Sequence, residues 1–154
     1  MSFNIVLYEP EIPANTGNIG RLCVGAGAVL HVIKPIKFLL NDKYLKRAGL
    51  DYWDKLHIEI HNSWVDFVQT YPNAQKYYFS TKADKVYTDI AFCDGDFLIF
   101  GPETRGLPEA LLKANWEHAY TIPMTKDIRS INLSNSVAIV LYEGLRQVGI
   151  KTEC

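Results

Sequence analysis

Three stretches of the chain carry polar residues in patterns that neither packing nor helix capping requires. The first, Glu9-Pro10-Glu11-Ile12-Pro13-Ala14-Asn15-Thr16-Gly17-Asn18-Ile19-Gly20-Arg21, turns on its prolines and presents Asn15, Thr16, Asn18 and Arg21 at the start of a helix. A helix start exposes N–H groups that suit an anion, and Arg21 adds a charged fork that matches a phosphate. The same residues also read as an N-cap followed by a solvated Arg. The second, Phe100-Gly101-Pro102-Glu103-Thr104-Arg105-Gly106-Leu107-Pro108, sets Gly and Pro pairs around Glu103 and Arg105. Such a rigid turn lets backbone approach a ligand closely. The third, from Ile122 through Arg129, Ser130, Ile131, Asn132 and Leu133 to Ser136, spaces Ser and Asn at alternate positions before a long apolar helix. One cap explains only one or two of them.

The elements that must position these stretches alternate along the chain. Phe3 to Tyr8 predicts a buried strand, Asn15-Thr16 a cap for a helix reaching about Ala26, and Val29 to Ile33 a second strand. Asp42 to Ala48 predicts a short helix ended by Gly49, and Leu56 to Ile60 a strand. Ser63 caps a helix whose Trp64, Phe67, Val68 and Tyr71 form one apolar stripe, closed by Pro72. Tyr77 to Ser80, Phe97 to Phe100 and Ala119 to Ile122 predict further strands, with Pro108 as the first helical residue of a segment to Lys113. Leu133 to about Val148, with Val137, Leu141, Leu145 and Val148 on one face, predicts the longest helix. The alternation implies an α/β fold with a largely parallel sheet covered on both faces. Ligands of such sheets sit beyond the carboxyl ends of strands, here the loops after Tyr8, Ser80, Phe100 and Ile122.

Other chemistries fail on spacing. Gly17, Gly20, Gly25 and Gly27 do not make G-x-G-x-x-G, and there is neither a G-K-[ST] phosphate loop nor a G-x-S-x-G elbow. His57 and His61 flank Ile58-Glu59-Ile60 and share a strand side, but lacking a neighbouring Cys or third His they read as a solvated surface pair, and no metal is expected. Cys23 and Cys93 read as small buried side chains and Cys154 as part of a frayed end. With 154 residues and 48% hydrophobic content the chain has the composition of one folded domain. Its apolar runs are too short for a bilayer and its start lacks a basic region before a long apolar stretch, so a cytoplasmic protein is expected. A net charge of -1 argues against a global nucleic-acid field, leaving only a local basic patch for such a partner.

The strings Ile5-Val6-Leu7-Tyr8-Glu9-Pro10-Glu11-Ile12-Pro13, Asn15-Thr16-Gly17-Asn18-Ile19, Lys46-Arg47-Ala48-Gly49-Leu50-Asp51-Tyr52, G-P-E-T-R-G-L-P and N-L-S-N, in this order over nearly the whole chain, resemble the SPOUT, or trefoil-knot, RNA methyltransferases. Within them the similarity is closest to the small TrmL-type 2'-O-methyltransferases of the tRNA wobble nucleotide. The resemblance implies a Rossmann-like, mostly parallel sheet with a deep C-terminal knot, one domain without an extension, and a homodimer. It implies transfer of a methyl group from S-adenosylmethionine to the ribose 2'-hydroxyl of the first anticodon nucleotide, a cytidine or modified uridine, with leucine tRNAs as expected substrates. The alternatives are another tRNA or rRNA ribose, or a non-catalytic RNA-binding relative.

Carried over onto matching positions, the resemblance places Phe79, Gly101, Ile122, Ser130 and Leu133 around the cofactor, and Arg21, Asn15, Glu103 and Asn132 at the transfer site. A guanidinium is a poor base, so Arg21 suits a role in holding substrate phosphate and developing alkoxide charge, with the proton leaving to phosphate, Glu103 or water. Lys43, Lys46 and Arg47, at i, i+3 and i+4, together with Arg129, offer a phosphate patch, with Tyr44, Tyr52 and Trp53 nearby for stacking. Those charges read equally as a solvated helix face, and the aromatics as core. Departures from the family pattern are Gly20, where relatives carry a bulkier apolar residue, and Ile131, where Met is common.

Overall fold

The structure, a computed structural model, describes residues 2–40 and 50–149. Strands β1 (Asn4–Tyr8), β2 (Val29–Ile33), β3 (Ile58–His61), β4 (Lys76–Phe79), β5 (Lys85–Val86), β6 (Phe97–Phe100) and β7 (Ala119–Thr121) form one sheet in the order β3-β2-β1-β6-β4-β7-β5. Every described pairing is parallel. Helices α1 (Pro13–Ala26), α2 (Trp64–Thr70), α3 (Glu109–Ala114) and α4 (Leu133–Val148) cover its faces.

The two-residue period of a strand sorts the core. Ile5 and Leu7 face a layer built with Ile19 and Cys23 of α1 and Val137, Val140 and Leu141 of α4. Val6 faces the opposite layer, with Phe67 of α2 and Leu112 of α3. In β6 both layers are apolar, so Phe97 to Phe100 is a continuous hydrophobic run and fully buried. Gly144 lets α4 lie close on Phe3, just ahead of the central strand β1; the Phe3 ring would stand 2.8 Å from a Cβ added at Gly144.

The connection from β4 to β6, residues 80–96, passes on both sides of β7. Ala83 packs in the α3 layer, whereas Ile90 and Phe92 pack in the α4 layer. Strand β7 lies between β4 and β5, inside the ring this connection makes. The chain reaches β7 from α3 on one face and leaves it for α4 on the other, so it is threaded through the ring. This is the knot, an exception to the rule that connections do not thread loops. Gln147 of α4 fastens it: its side chain accepts from Phe92 N at 2.9 Å and donates to Ile90 O at 2.9 Å.

Several expectations from the sequence are corrected. Asn15 and Thr16 do not cap α1; the helix begins at Pro13, with Ile12 as N-cap and no side-chain cap of its own. Both residues are buried inside it. Residues Leu50–Lys55 form a 3-10 helix, and the strand predicted from Leu56 starts at Ile58. Tyr77–Ser80 shifts to β4 at Lys76–Phe79, Ala119–Ile122 ends at Thr121, Phe3 precedes β1, and Pro108 is the N-cap of α3. Strand β5 is too short to show any period. Cys93 is exposed. His61 is 8% exposed and meets a buried third histidine, His31 of the adjacent strand, so it is no surface residue. Burial pushes the His31 ring down to about 4 and His61 in the same direction, and both are neutral. The helix predicted over 42–48 lies outside the described residues.

Candidate active site

The loops at the carboxyl ends of β4, β6 and β7 enclose a cavity of about 390 Å³, within the range of small-molecule sites. Its floor is the stacked pair Phe79 and Phe100, with ring centroids 4.9 Å apart and planes at 17°. Both rings are buried because each ends a central strand. Gly101 starts the loop after β6, which doubles back so tightly that a Cβ there would stand 2.3 Å from Leu107 N. Only glycine permits that turn. It closes with Gly106 at φ 68° and its N–H donating to Pro102 O at 2.9 Å.

A chain of side chains joins the three polar stretches. Glu103 accepts from Glu11 N at 2.8 Å, Ile12 N at 2.6 Å and Asn15 Nδ2 at 3.3 Å. Asn15 Oδ1 in turn accepts from Asn132 Nδ2 at 3.1 Å. Asn132 Oδ1 caps α4, accepting from Ser134 N at 2.9 Å and Asn135 N at 3.4 Å. The anion nearest the start of α1 is therefore Glu103 of the protein itself, which accepts from the N–H groups just ahead of the helix. The clasp is reciprocal. Glu11 accepts from Thr104 N and Thr104 Oγ1 at 2.9 and 2.8 Å, and these bonds hold its carboxyl below the usual range. Arg105 lies 3.8 Å from both Glu9 and Glu11. Glu9 sits at φ 47°, the single non-glycine residue with positive φ among those described, at the bend from β1 toward α1.

Of the residues singled out in the sequence, Phe79, Gly101, Ile122, Ser130 and Leu133 line this one cavity, as do Glu103 and Arg129. Asn15 and Asn132 stand behind the wall as the links between loops. Arg21 lies on the exposed side of α1, electrostatically close to Tyr52, and does not line the cavity. Tyr52 and Trp53 pack against α1 at Gly20, and Tyr52 donates from its hydroxyl to Gly17 O at 2.5 Å. A Cβ at position 20 would stand 3.1 Å from Leu56, with Trp53 and Tyr52 in contact beyond it, so a larger residue there has no room, which accounts for that glycine. Lys43, Tyr44, Lys46 and Arg47 lie outside the described residues.

Ser136, at the end of the third polar stretch, also lines the cavity, as do Ser80, Thr81 and Lys82 from the loop after β4, which the sequence reading does not single out. Only their place beyond a strand's carboxyl end pointed to them. Apolar walls beside hydroxyls and the cations Lys82, Arg105 and Arg129 fit a ligand joining an aromatic base to a charged amino acid.

The SpoU rRNA methylase family model matches residues 2–142. A tRNA (cytidine(34)-2'-O)-methyltransferase of Methylovorus glucosotrophus (strain SIP3-4) is 48% identical over 146 residues, 94% of this chain and 95% of that protein. The enzyme of the same description from Escherichia coli (strain K12) is 48% identical over 147 residues, 95% of this chain and 94% of its own. A solved structure described as giving insight into the 2-OH methylation of C/U34 on tRNA superposes with a TM-score of 0.90 at 41% identity, covering 96% of both chains.

Proposed function

The chain belongs to the SpoU rRNA methylase family, and from that premise we propose that it methylates the ribose 2'-hydroxyl of nucleotide 34 of tRNA, cytidine or uridine, using S-adenosylmethionine. The observation that carries this reading is near-full-length similarity to tRNA (cytidine(34)-2'-O)-methyltransferases, at 48% identity, in a chain whose motif loops converge on one cavity.

The cavity suits S-adenosylmethionine, which supplies an electrophilic methyl group on a sulfonium. Phe79, Ile122 and Leu133 are the apolar walls for its adenosine, and the backbone turn at Gly101 and the hydroxyl of Ser130 are the polar contacts. Lys82, Arg105 and Arg129 line the same cavity and would supply a cation for the cofactor's carboxylate. Excluding water there raises the worth of each polar contact.

Glu103 acts as a positioning residue. Its oxygens are engaged with Glu11 N, Ile12 N and Asn15 Nδ2, so it holds the turn after β6 against α1 while Asn15 and Asn132 hold α4 in register. The proton of the 2'-hydroxyl then passes to a substrate phosphate or water. Arg21, on the exposed side of α1, meets the tRNA, its guanidinium fork holding substrate phosphate. Arg129, at the cavity rim, extends the same contact, as does the patch Lys43, Lys46 and Arg47. A splayed anticodon base supplies specificity and phosphate contacts supply salt dependence.

The working unit is a homodimer, with the exposed apolar side chains Ile12, Tyr142 and Val148 on or beside α1 and α4 covered by a second copy. It works in the cytoplasm, where its substrate is, and no described helix is long and apolar enough to cross a membrane. Calorimetry with S-adenosylmethionine and with NADH, followed by labelled-methyl transfer to unmodified tRNA, tests the reading. Binding of the first alone and a 2'-O-methylated nucleoside are expected. A dimer that binds cofactor but transfers to no tRNA would be a non-catalytic relative and would overturn it.

A further inference from the structure

On the opposite side of the sheet from α1 and α4, the paired strands β2 and β3 bring His31, Glu59 and His61 together in register, His31 opposite Glu59. Their ligand atoms, one per residue, all lie within 4.8 Å of one another. His31 Nδ1 stands 3.0 Å from His61 Nε2 and 3.7 Å from a Glu59 carboxylate oxygen. A tetrahedral ion with bonds of roughly 2.0–2.1 Å needs ligand atoms about 3.4 Å apart, which those two distances bracket.

The surrounding bonds orient the donors. Asn4 Nδ2 donates to Gly95 O at 3.1 Å, so Asn4 Oδ1 faces His31 Nε2, 2.9 Å away, and accepts from it. His31 therefore carries its proton on Nε2 and presents a lone pair at Nδ1 toward His61 and Glu59. A metal-ligating histidine is held this way, its far nitrogen donating to a fixed oxygen. Tyr71 donates to both Glu59 oxygens at 2.7 and 2.9 Å, fixing the carboxylate. Phe67 and Phe97 pack beside the His31 ring and keep that side dry, while the Glu59 side chain, 35% exposed, leaves an entrance.

We propose that His31, Glu59 and His61 bind one divalent transition-metal ion of the zinc class, with water in the fourth position. The ion takes the place of the proton between the two rings, and His61 moves its own proton from Nε2 to Nδ1. Two imidazoles and a carboxylate select zinc or cobalt over magnesium or calcium. The site lies apart from the methyl-transfer cavity and shares no residue with it, so the ion takes no part in methyl transfer; bridging β2 and β3, it would tie the edge strand β3 to the sheet.

The test uses the full chain freed of metal by a chelator. Titration with Co2+, followed by its visible absorption, and calorimetry with Zn2+ should each show one ion per chain, and Zn2+ should raise the unfolding temperature. Glu59→Gln and His61→Gln should each weaken binding by tenfold or more, and Asn4→Ala by a similar factor without removing a ligand. Glu59 is partly exposed, so its variant keeps the reading accessible if His61→Gln does not fold. The proposal is overturned if the wild type takes up neither ion, if both ligand variants bind as the wild type does, or if binding disappears only in His57→Gln.

Discussion

Replacing Glu103 by Ala removes three acceptor interactions at once and separates two accounts of this residue. The carboxylate takes Glu11 N at 2.8 Å, Ile12 N at 2.6 Å and Asn15 Nδ2 at 3.3 Å. Hydrogen bonds to a charged group contribute about 1.5–3 kcal/mol each, and less where water reaches the abandoned donor. Glu11 is half-buried, so its N–H is partly resolvated, whereas Asn15 is 6% exposed and its amide is not. The net loss expected is about 2–4 kcal/mol, which for a chain of this length is a fall of roughly 5–15 °C in melting temperature. Glu103→Gln keeps one carbonyl but turns an NH2 toward a backbone N–H, and should fall between wild type and Ala. Thermal and urea unfolding, with and without S-adenosylmethionine, read the effect. Cofactor affinity should drop with stability, because the loop that the clasp holds is a wall of the cavity. If Glu103→Ala melts as the wild type does and binds cofactor equally well while kcat collapses, the carboxylate is the proton acceptor and the positioning argument is wrong.

Four further outcomes are expected. Gly101→Ala places a Cβ 2.3 Å from the backbone nitrogen of Leu107, so the turn must open; calorimetry should show cofactor affinity reduced by more than tenfold in a protein that remains folded by circular dichroism. Gly144→Ala puts a methyl 2.8 Å from the buried Phe3 ring, and overpacking of about 1–3 kcal/mol should exceed the roughly 1 kcal/mol gained in helix propensity, lowering the urea midpoint. Gln147→Ala strips the 90–92 segment of both side-chain bonds and should cost about 1–3 kcal/mol in the same assay. Arg21→Lys keeps charge but loses the fork; kcat/KM for tRNA should fall at least tenfold with cofactor affinity unchanged, and near-normal turnover would defeat bidentate phosphate holding.

The fold was legible where period and length were strong. Strands β2 and β6 and helix α4 have the bounds read from their apolar patterns, because most of each stripe is buried, although Val148, placed on the α4 stripe, is exposed at the helix end. The error at α1 has a definite physical source. Asn and Thr normally cap from within the sequence, whereas here α1 has no side-chain cap and the chain entering it is held by Glu103, distant by |i−j| = 91 from Ile12. No local pattern records such a bond. The His31–His61 pair was hidden for the same reason, since only the register of β2 on β3 brings them together. Gly and Pro mark the tight loop after β6, whereas Phe79, Ile122, Ser130 and Leu133 rest on the family resemblance, and Ser80, Thr81 and Lys82 follow β4 without such punctuation. The knot itself is a property of strand order, and composition or spacing alone carries no trace of it.

The near-neutral charge of the chain, -1 overall, leaves the basic side chains to act locally, and tRNA affinity should therefore be modest and steeply dependent on salt. The central claim is tested most directly by incubating the protein with unmodified tRNA and methyl-labelled S-adenosylmethionine, digesting the product and mapping the label by mass spectrometry. The account predicts one methyl group on the ribose 2'-oxygen of nucleotide 34. Label on a base, on any other nucleotide, or on none despite bound cofactor would contradict it.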